Sequence, residues 1–356
     1  MPFDPQLEDY ERMSLRFVRS LGDLDAAAAA REFASFGRRF AHDRDSLPQT
    51  DADRAFHLVV EATRLIDYQL PFALDEEAET CISHAQRMLD EALSLDPQCH
   101  DALRMLEAGR SPSFESYYNF LQEGASEVKA RCVEARDAAC DTAAPERVFL
   151  ERDIAMRPYL RWIATLASKA LICGRNRETI RLVDELLALD PYDRADARLT
   201  AYLAYAKLED QEGLDRFAKA HLDLNHPRLD AWELLARLAL AHKRCDFGQA
   251  RTLLGQIVEL YPNALVTLAR QRELPDGVYA RLSTHPYSED ELIVAISEAT
   301  VLLQEGRDSL WRGSLGSWVL RECLSMSTPE QTSELADVIA SLPPHAASLL
   351  WGDDAS

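Results

Sequence analysis

Apolar residues recur every three or four positions along almost the whole chain, and alternating apolar–polar runs are nearly absent. That spacing lays apolar side chains along one stripe of a helix, whereas a strand would need them at every second position. A chain built of one-striped helices can hide its apolar surface only by packing helix on helix. Composition agrees. Ala occurs 50 times and Gly 13 times in 356 residues, a balance that suits helix interiors and not the glycine-dependent turns of barrels, sandwiches and phosphate-cradling loops. The fold class expected is all-α.

Punctuation between the stripes sets the helix ends. Gly22 stops a first helix carrying Tyr10, Leu15, Phe17 and Val18, and Asp25 can cap a second that leads through Ala26–Ala30 to Phe33, Phe36 and Phe40. Thr50 with Asp53 has the spacing of a capping box, in which a hydroxyl and a carboxylate each satisfy a backbone amide that the helix leaves open. The helix it opens carries Phe56, Val59, Val60, Ala62, Leu65 and Ile66 and ends near Leu70-Pro71. A helix over 75–95 stops at Asp96-Pro97, because proline cannot donate the next helical bond. Further helices are expected at about 98–109, 113–140, 146–173, 176–189, 193–207, 211–222, 229–243, 247–260, 288–304, 307–325 and 330–341. Short connections make consecutive helices antiparallel neighbours.

Three helix ends are alike. Leu89-Asp90-Glu91-Ala92-Leu93-Ser94-Leu95-Asp96-Pro97 matches Val183-Asp184-Glu185-Leu186-Leu187-Ala188-Leu189-Asp190-Pro191, with a looser copy ending at Leu260-Tyr261-Pro262. The prolines stand 94 and 71 residues apart, near multiples of the 34-residue tetratricopeptide period. In the middle copy Gly174 supplies the turn, Ile180 and Val183 face inward, and Leu187 precedes Asp190-Pro191. In the third, Ala250 takes the small-residue position that lets helices approach closely, and Phe247 opens the helix. The first copy departs from this grammar, with Thr80 at the turn position and Leu70 to Asp75 interrupting its first helix. The expected architecture is a tetratricopeptide-like solenoid of antiparallel hairpins with an irregular N-terminal part.

The chain also resembles the suppressor-of-tumorigenicity-7 family over about residues 75–305. The resemblance rests on Glu151-Arg152-Asp153, Tyr159 and Gly174-Arg175-Asn176-Arg177-Glu178-Thr179, then Tyr261-Pro262-Asn263, Leu274-Pro275 and Ser288-Glu289-Asp290-Glu291 opening a helix with Ala295. That family's asparagine-proline-histidine segment is not kept, since Ala264 follows Asn263, and its eukaryotic members' apolar membrane-type segments are absent. What the resemblance implies is a tetratricopeptide-like scaffold without catalytic residues.

Charge and motifs narrow the function. With 39 Lys+Arg against 60 Asp+Glu, the net charge is −21, which repels phosphate backbones and argues against nucleic-acid binding. No apolar run is long enough to cross a membrane. The N-terminus lacks a basic-then-apolar leader, and the cysteines form no CxxC, so a cytoplasmic chain with reduced thiols is expected. Phosphate-loop, dinucleotide, zinc-protease and nucleophile-elbow signatures are missing. Gly313-Ser314-Leu315-Gly316 has the wrong spacing for a hydrolase elbow and reads as close-packing small residues. Cys81 and His84 on one helix, with Cys99 and His100 in the following loop, are the one candidate metal set, and buried thiols beside capping histidines are the plainer reading. His221 and His226 flank a helix end where both can bond carbonyls. Paired carboxylates such as Glu76-Glu77, Asp184-Glu185 and Glu289-Asp290-Glu291 fall in first turns or on helix faces, where they complement the dipole.

The expected function is therefore a non-enzymatic scaffold or adaptor, without cofactor or metal, that receives a protein or peptide partner in a concave groove. Repeat register places Arg161, Arg198, Tyr202 and Lys207 in that groove, where cations would meet an acidic peptide or a free carboxylate. The alternatives are an enzyme with a dispersed site and a structural, oligomerising module. A homodimer would bury Phe33, Phe36 and Phe40, or Leu349, Leu350 and Trp351, between two copies. The expected organisation is an N-terminal helical region over 1–144, hairpin repeats with capping helices over 145–351, and a disordered tail over 352–356.

Overall fold

The computed structural model describes residues 4–22, 26–70, 73–139, 145–221, 229–274, 284–306 and 313–340. Every element among the described residues is helical and none is a strand. The tail over 352–356, the terminal Leu349, Leu350 and Trp351, and the helix cap expected at Asp25 lie outside them. No helix among the described residues is long and apolar enough to cross a membrane. The chain forms two compact units. The first holds the described residues up to Lys169 with Glu185–Ala195; the second holds Ala170–Asp184, Asp196–Leu274 and the described residues beyond 283.

In the first unit, α1 (Pro5–Ser20) and α2 (Ala26–His42) are followed by α3 (Asp51–Thr63), α4 (Asp75–Leu95), α5 (His100–Arg110), α6 (Phe114–Ala138) and most of α7 (Pro145–Ile172). The Thr50–Asp53 capping box forms as expected: the Asp53 amide donates to the Thr50 hydroxyl at 3.3 Å and the Thr50 amide to Asp53 Oδ2 at 2.7 Å. Beyond Thr63 the backbone widens into a π-type turn over Arg64–Gln69, so α3 ends earlier than the apolar pattern suggests. Ala55, Val59 and Ala62 of α3 pack on Ala85, Leu89 and Ala92 of α4, with Ala102 and Leu106 of α5 closing the cluster. The alanines let the helix axes approach closely. Phe36 is wholly buried and packs with Met13, Phe17 and Leu47, Phe40 lies partly buried against them, and Phe33 stacks on Phe36 at 5.5 Å while staying 39% exposed.

The first unit runs on through Lys169, because α7 carries Ile154, Leu160, Trp162 and Ile163 into its interior. Trp162 Nε1 donates to the Leu121 carbonyl of α6 at 2.8 Å. Its ring lies where a Cβ on Gly124 would come within 2.8 Å of it.

In the second unit, α8 (Asn176–Leu189) starts the run and its last residues belong to the first unit. There follow α9 (Ala197–Lys207), α10 (Gln211–Ala220), α11 (Ala231–Lys243), α12 (Phe247–Leu260), α13 (Ala264–Arg270), α14 (Glu289–Glu298), α15 (Thr300–Leu303), α16 (Ser314–Met326), α17 (Pro329–Glu334) and α18 (Ala336–Ala340). Three hairpins close through the same turn. Gly174, Glu209 and Cys245 take left-handed backbone angles (φ 74°, 57° and 60°). The next amide bonds five residues back in each case: Arg175 to Ala170, Asp210 to Tyr205 and Asp246 to Ala241. This double bond pattern satisfies the last carbonyls of the incoming helix and reverses the chain. Asp210 and Asp246 then cap the outgoing helices, bonding Gly213 and Gln249 amides at 2.8 and 3.0 Å. The three turns stand 35 and 36 residues apart.

Other segments differ from expectation. α9 begins at Ala197 and not near 193, since Asp193 and Asp196 are both left-handed. α13 had no clear sequence signal and starts behind a left-handed Asn263. The helix expected over 288–304 divides at Ala299, where the Thr300 hydroxyl bonds the Ser297 carbonyl and competes with the helical ladder.

Gly124→Val is expected to lower the urea midpoint by an amount equivalent to about 1–3 kcal/mol, because the added side chain must displace the Trp162 ring. Equilibrium unfolding followed by tryptophan fluorescence measures it.

Candidate functional site

The second unit's centre is α11. Trp232, Glu233, Leu234, Leu235, Ala236, Leu238, Ala239 and Leu240 are all buried, leaving this helix no open face. It packs against α12 and α9, its hairpin partner and the equivalent helix of the preceding hairpin, and α14 and α15 lie over the same pair. Leu292, Val294, Ala295, Ile296, Leu302 and Leu303 supply their apolar side. Polar bonds pin the segment down. Trp232 Nε1 donates to Glu298 Oε2 at 2.7 Å. Lys207 Nζ donates to Glu305 Oε1 at 2.8 Å and to the Val301 carbonyl at 3.2 Å, and Lys243 Nζ reaches Glu305 Oε2 at 2.7 Å. Although burial opposes ionisation of Glu305, the two ammonium groups hold its carboxyl below the ordinary range. Gly313 and Gly316 press against the carbonyls of Leu303 and Glu305, as expected of close-packing small residues.

The other end of α14 is built differently. Ser288 caps it by accepting the Glu291 amide at 3.2 Å, and Glu291 reaches back to accept the amide of Tyr287, a residue in the left-handed region (φ 60°). Glu291 is 6% exposed, and Asp230, the cap of α11, is 4% exposed. Asp230 Oδ1 accepts the Glu233 amide at 2.9 Å, while Oδ2 has no hydrogen bond and stands 3.8 Å from Arg198 Nη2. Burial pushes Glu291 up to about 7, Asp230 adds to the rise, and the Tyr287 amide and Arg198 offset part of it. Burial likewise raises Asp230 against the pull of Arg198. The Tyr261 hydroxyl lies beside Glu291, and its own ionisation is pushed far up by burial and by the two acids. Among the described residues, two carboxyl groups and a phenol here face one guanidinium in a dry setting, which favours the protonated carboxyl.

None of the four residues expected to line a groove is exposed. Tyr202 is fully buried, edge-on to Phe217 at 5.8 Å. Arg198 is buried between Asp196, at 3.1 Å, and Asp230. Lys207 is half-buried on Glu305. The structure thus brings Arg198 and Lys207 to opposite ends of the segment covered by α14–α15, and Tyr202 to the core. Arg198, Tyr202 and Lys207 lie on one helix, α9, and spacing along a helix carries no record of the later helices that pack on it.

Arg161 belongs to the first unit and is an internal strut. Its guanidinium grips Asp101 with two bonds, at 2.8 and 2.6 Å, and Glu8 at 2.7 Å. Arg157 reaches Glu11 at 2.6 Å and Asp153 at 2.8 Å, Arg12 reaches Glu8 at 2.7 Å, and Arg104 stands 3.4 Å from Asp101. Burial by itself would raise Glu8 and Asp101; the surrounding guanidinium groups outweigh it and keep both below the ordinary carboxylate range. Sequence reasoning missed this network. Its one visible signal is a charge inside the apolar stripe Leu160, Trp162 and Ile163.

Among the described residues no group of three or more His, Cys, Asp or Glu side chains could hold a metal ion. Cys99 is buried, its thiol pushed up to about 12 by burial and Asp101, and His100 packs edge-on against Trp162. His84 is exposed. The His221 ring lies tilted against Phe217, centroids 4.6 Å apart, and His226 lies outside the described residues. No family model, curated protein or solved structure matches the chain.

Arg161→Met is expected to cost about 3–5 kcal/mol at pH 7, because it leaves Glu8 and Asp101 buried without their principal partner. Both groups sit below their unfolded values, so their favourable contribution exists above about pH 4 and fades as pH falls. The gap between variant and wild type should therefore narrow in denaturant titrations carried from pH 7 to about pH 3.5.

Proposed function

We propose that the chain is a non-enzymatic helical-repeat scaffold whose second unit receives a protein or peptide partner along its stacked hairpins. The observation that carries this reading is the recurrence of one turn, with the same two backbone bonds, at Gly174, Glu209 and Cys245. Spacings of 35 and 36 residues are close to the tetratricopeptide period, and α9 packs on α11 as the first helices of successive repeats do in such arrays. The same features support the resemblance to the suppressor-of-tumorigenicity-7 family. In a repeat stack the first helices line the concave side, which here is the side of α9 and α11. Its half-buried cations, Lys207 and Lys243, now meet the Glu305 carboxylate, so a partner suited to that side is a helix with an apolar stripe and an acidic end.

Lysine-directed cross-linking tests the proposal, because the sequence has only five lysines. Lys129 and Lys169 lie in the first unit, whereas Lys207, Lys219 and Lys243 lie in the second. Full-length protein incubated with host lysate is expected to retain a defined protein cross-linked through Lys207, Lys219 or Lys243. Absence of any retained protein, or cross-links confined to Lys129 and Lys169, overturns the reading.

A further inference from the structure

The side of α9 and α11 that a partner would use is already occupied, by α14 and α15 of the same chain. The two ends of that segment are held by opposite chemistry. At the C-terminal end Glu305 is paired with two lysines. At the N-terminal end Glu291 enters a cluster already rich in acid. Arg198 comes from α9, with Asp196 on it; Asp230 and Glu233 come from α11; Tyr261 comes from the end of α12; and Tyr287 precedes α14. Glu233 is turned to Arg237 at 2.8 Å, and Asn263 and Thr267, beside α13, bond the neighbouring Glu289 and not Glu291. Among the described residues, Arg198 is thus the guanidinium that faces Asp230 and Glu291 together. Full ionisation would leave a buried negative charge without a partner, which a dry site tolerates poorly.

We infer that α14–α15 is an internal ligand of the α9–α11 side, latched at its N-terminal end by a proton held in the Asp230–Glu291 cluster and loosened when that proton leaves. The tethers at Glu298 and Glu305 do not depend on this proton, so loosening begins at the N-terminal end of α14. The Tyr287 amide, by donating to Glu291, favours the ionised form and offsets part of the effect of burial. Tyr287 is a bulky residue at positive φ, a conformation that costs energy unless its surroundings hold it, and the Glu291 carboxylate is what its amide bonds. Because burial places Glu291 at about 7 against an ordinary 4.5, the docked segment keeps a proton through the window in which a released one has lost it. Docking therefore weakens as pH rises from about 4.5 to about 7 and levels off above that. The latch concerns this chain alone; it rests on the partner-binding reading only for what the opened side receives.

Hydrogen exchange on the full chain from pH 5 to 8, corrected for the intrinsic pH dependence of exchange, tests it without any partner. Protection of α14 amides should fall by up to about tenfold per pH unit up to about pH 7, while α10 and α12 stay level. Glu291→Gln should hold α14 protection high and flat. Asp230→Asn, which keeps the α11 cap, should move the loss to lower pH and serves if the first variant does not fold. PH-independent protection of α14 in the wild type, the wild-type slope in Glu291→Gln, or an unmoved midpoint in Asp230→Asn overturns the latch. Since no partner enters the measurement, its failure leaves the cross-linking result to decide the scaffold reading separately.

Discussion

A charge can stay inside a protein only if an opposite charge or a proton meets it there, and both units of this chain are organised around that requirement. In the first, Arg161 is enclosed by two carboxylates distant in sequence, Glu8 and Asp101. Satisfying one guanidinium therefore fixes α1, α5 and α7 against one another. Apolar packing alone tolerates small slips between helices; a two-pronged bond to Asp101 does not. The neighbouring pairs from Arg12, Arg104 and Arg157 extend the same constraint over the interior.

The second unit meets the requirement with fewer cations. Among the described residues, Arg198 serves both Asp196 and Asp230, and no ion pair forms to Glu291. A proton takes the place of the missing partner. The two units consequently respond to pH in opposite senses: depressed carboxylates make the first sensitive to acid, and raised carboxylates make the second looser as pH climbs towards neutrality. A latch that responds near neutral pH needs such an incompletely compensated group, because a fully paired carboxylate titrates too far below to respond.

Hairpin geometry connects this electrostatics to the proposed scaffold role. The turns at Glu209 and Cys245 adopt the left-handed conformation without glycine, which costs about 1–2 kcal/mol at each. The cost is borne because each turn satisfies the carbonyls of one helix and, through Asp210 or Asp246, the amides of the next. The outcome is that α9 and α11 lie side by side and present a common side, which α14 and α15 cover.

Much of the architecture was legible in the residues. Three- and four-residue spacing, the Thr50–Asp53 box and the Asp96-Pro97 stop specify helices and their ends, since these depend on interactions within a few positions along the chain. The turn at Gly174 was readable for the same reason. The turns at Glu209 and Cys245 were not, because neither residue type announces a left-handed backbone. Burial of Arg161, Arg198 and Tyr202 was likewise invisible: periodicity reports which residues share a helix face, not which later helix will cover that face. The sequence by itself determined an acidic all-helical chain, because helix formation and capping are local. Only the tertiary structure decided which charges go inside and which acid keeps its proton, because those outcomes depend on groups that folding brings together from distant parts of the chain.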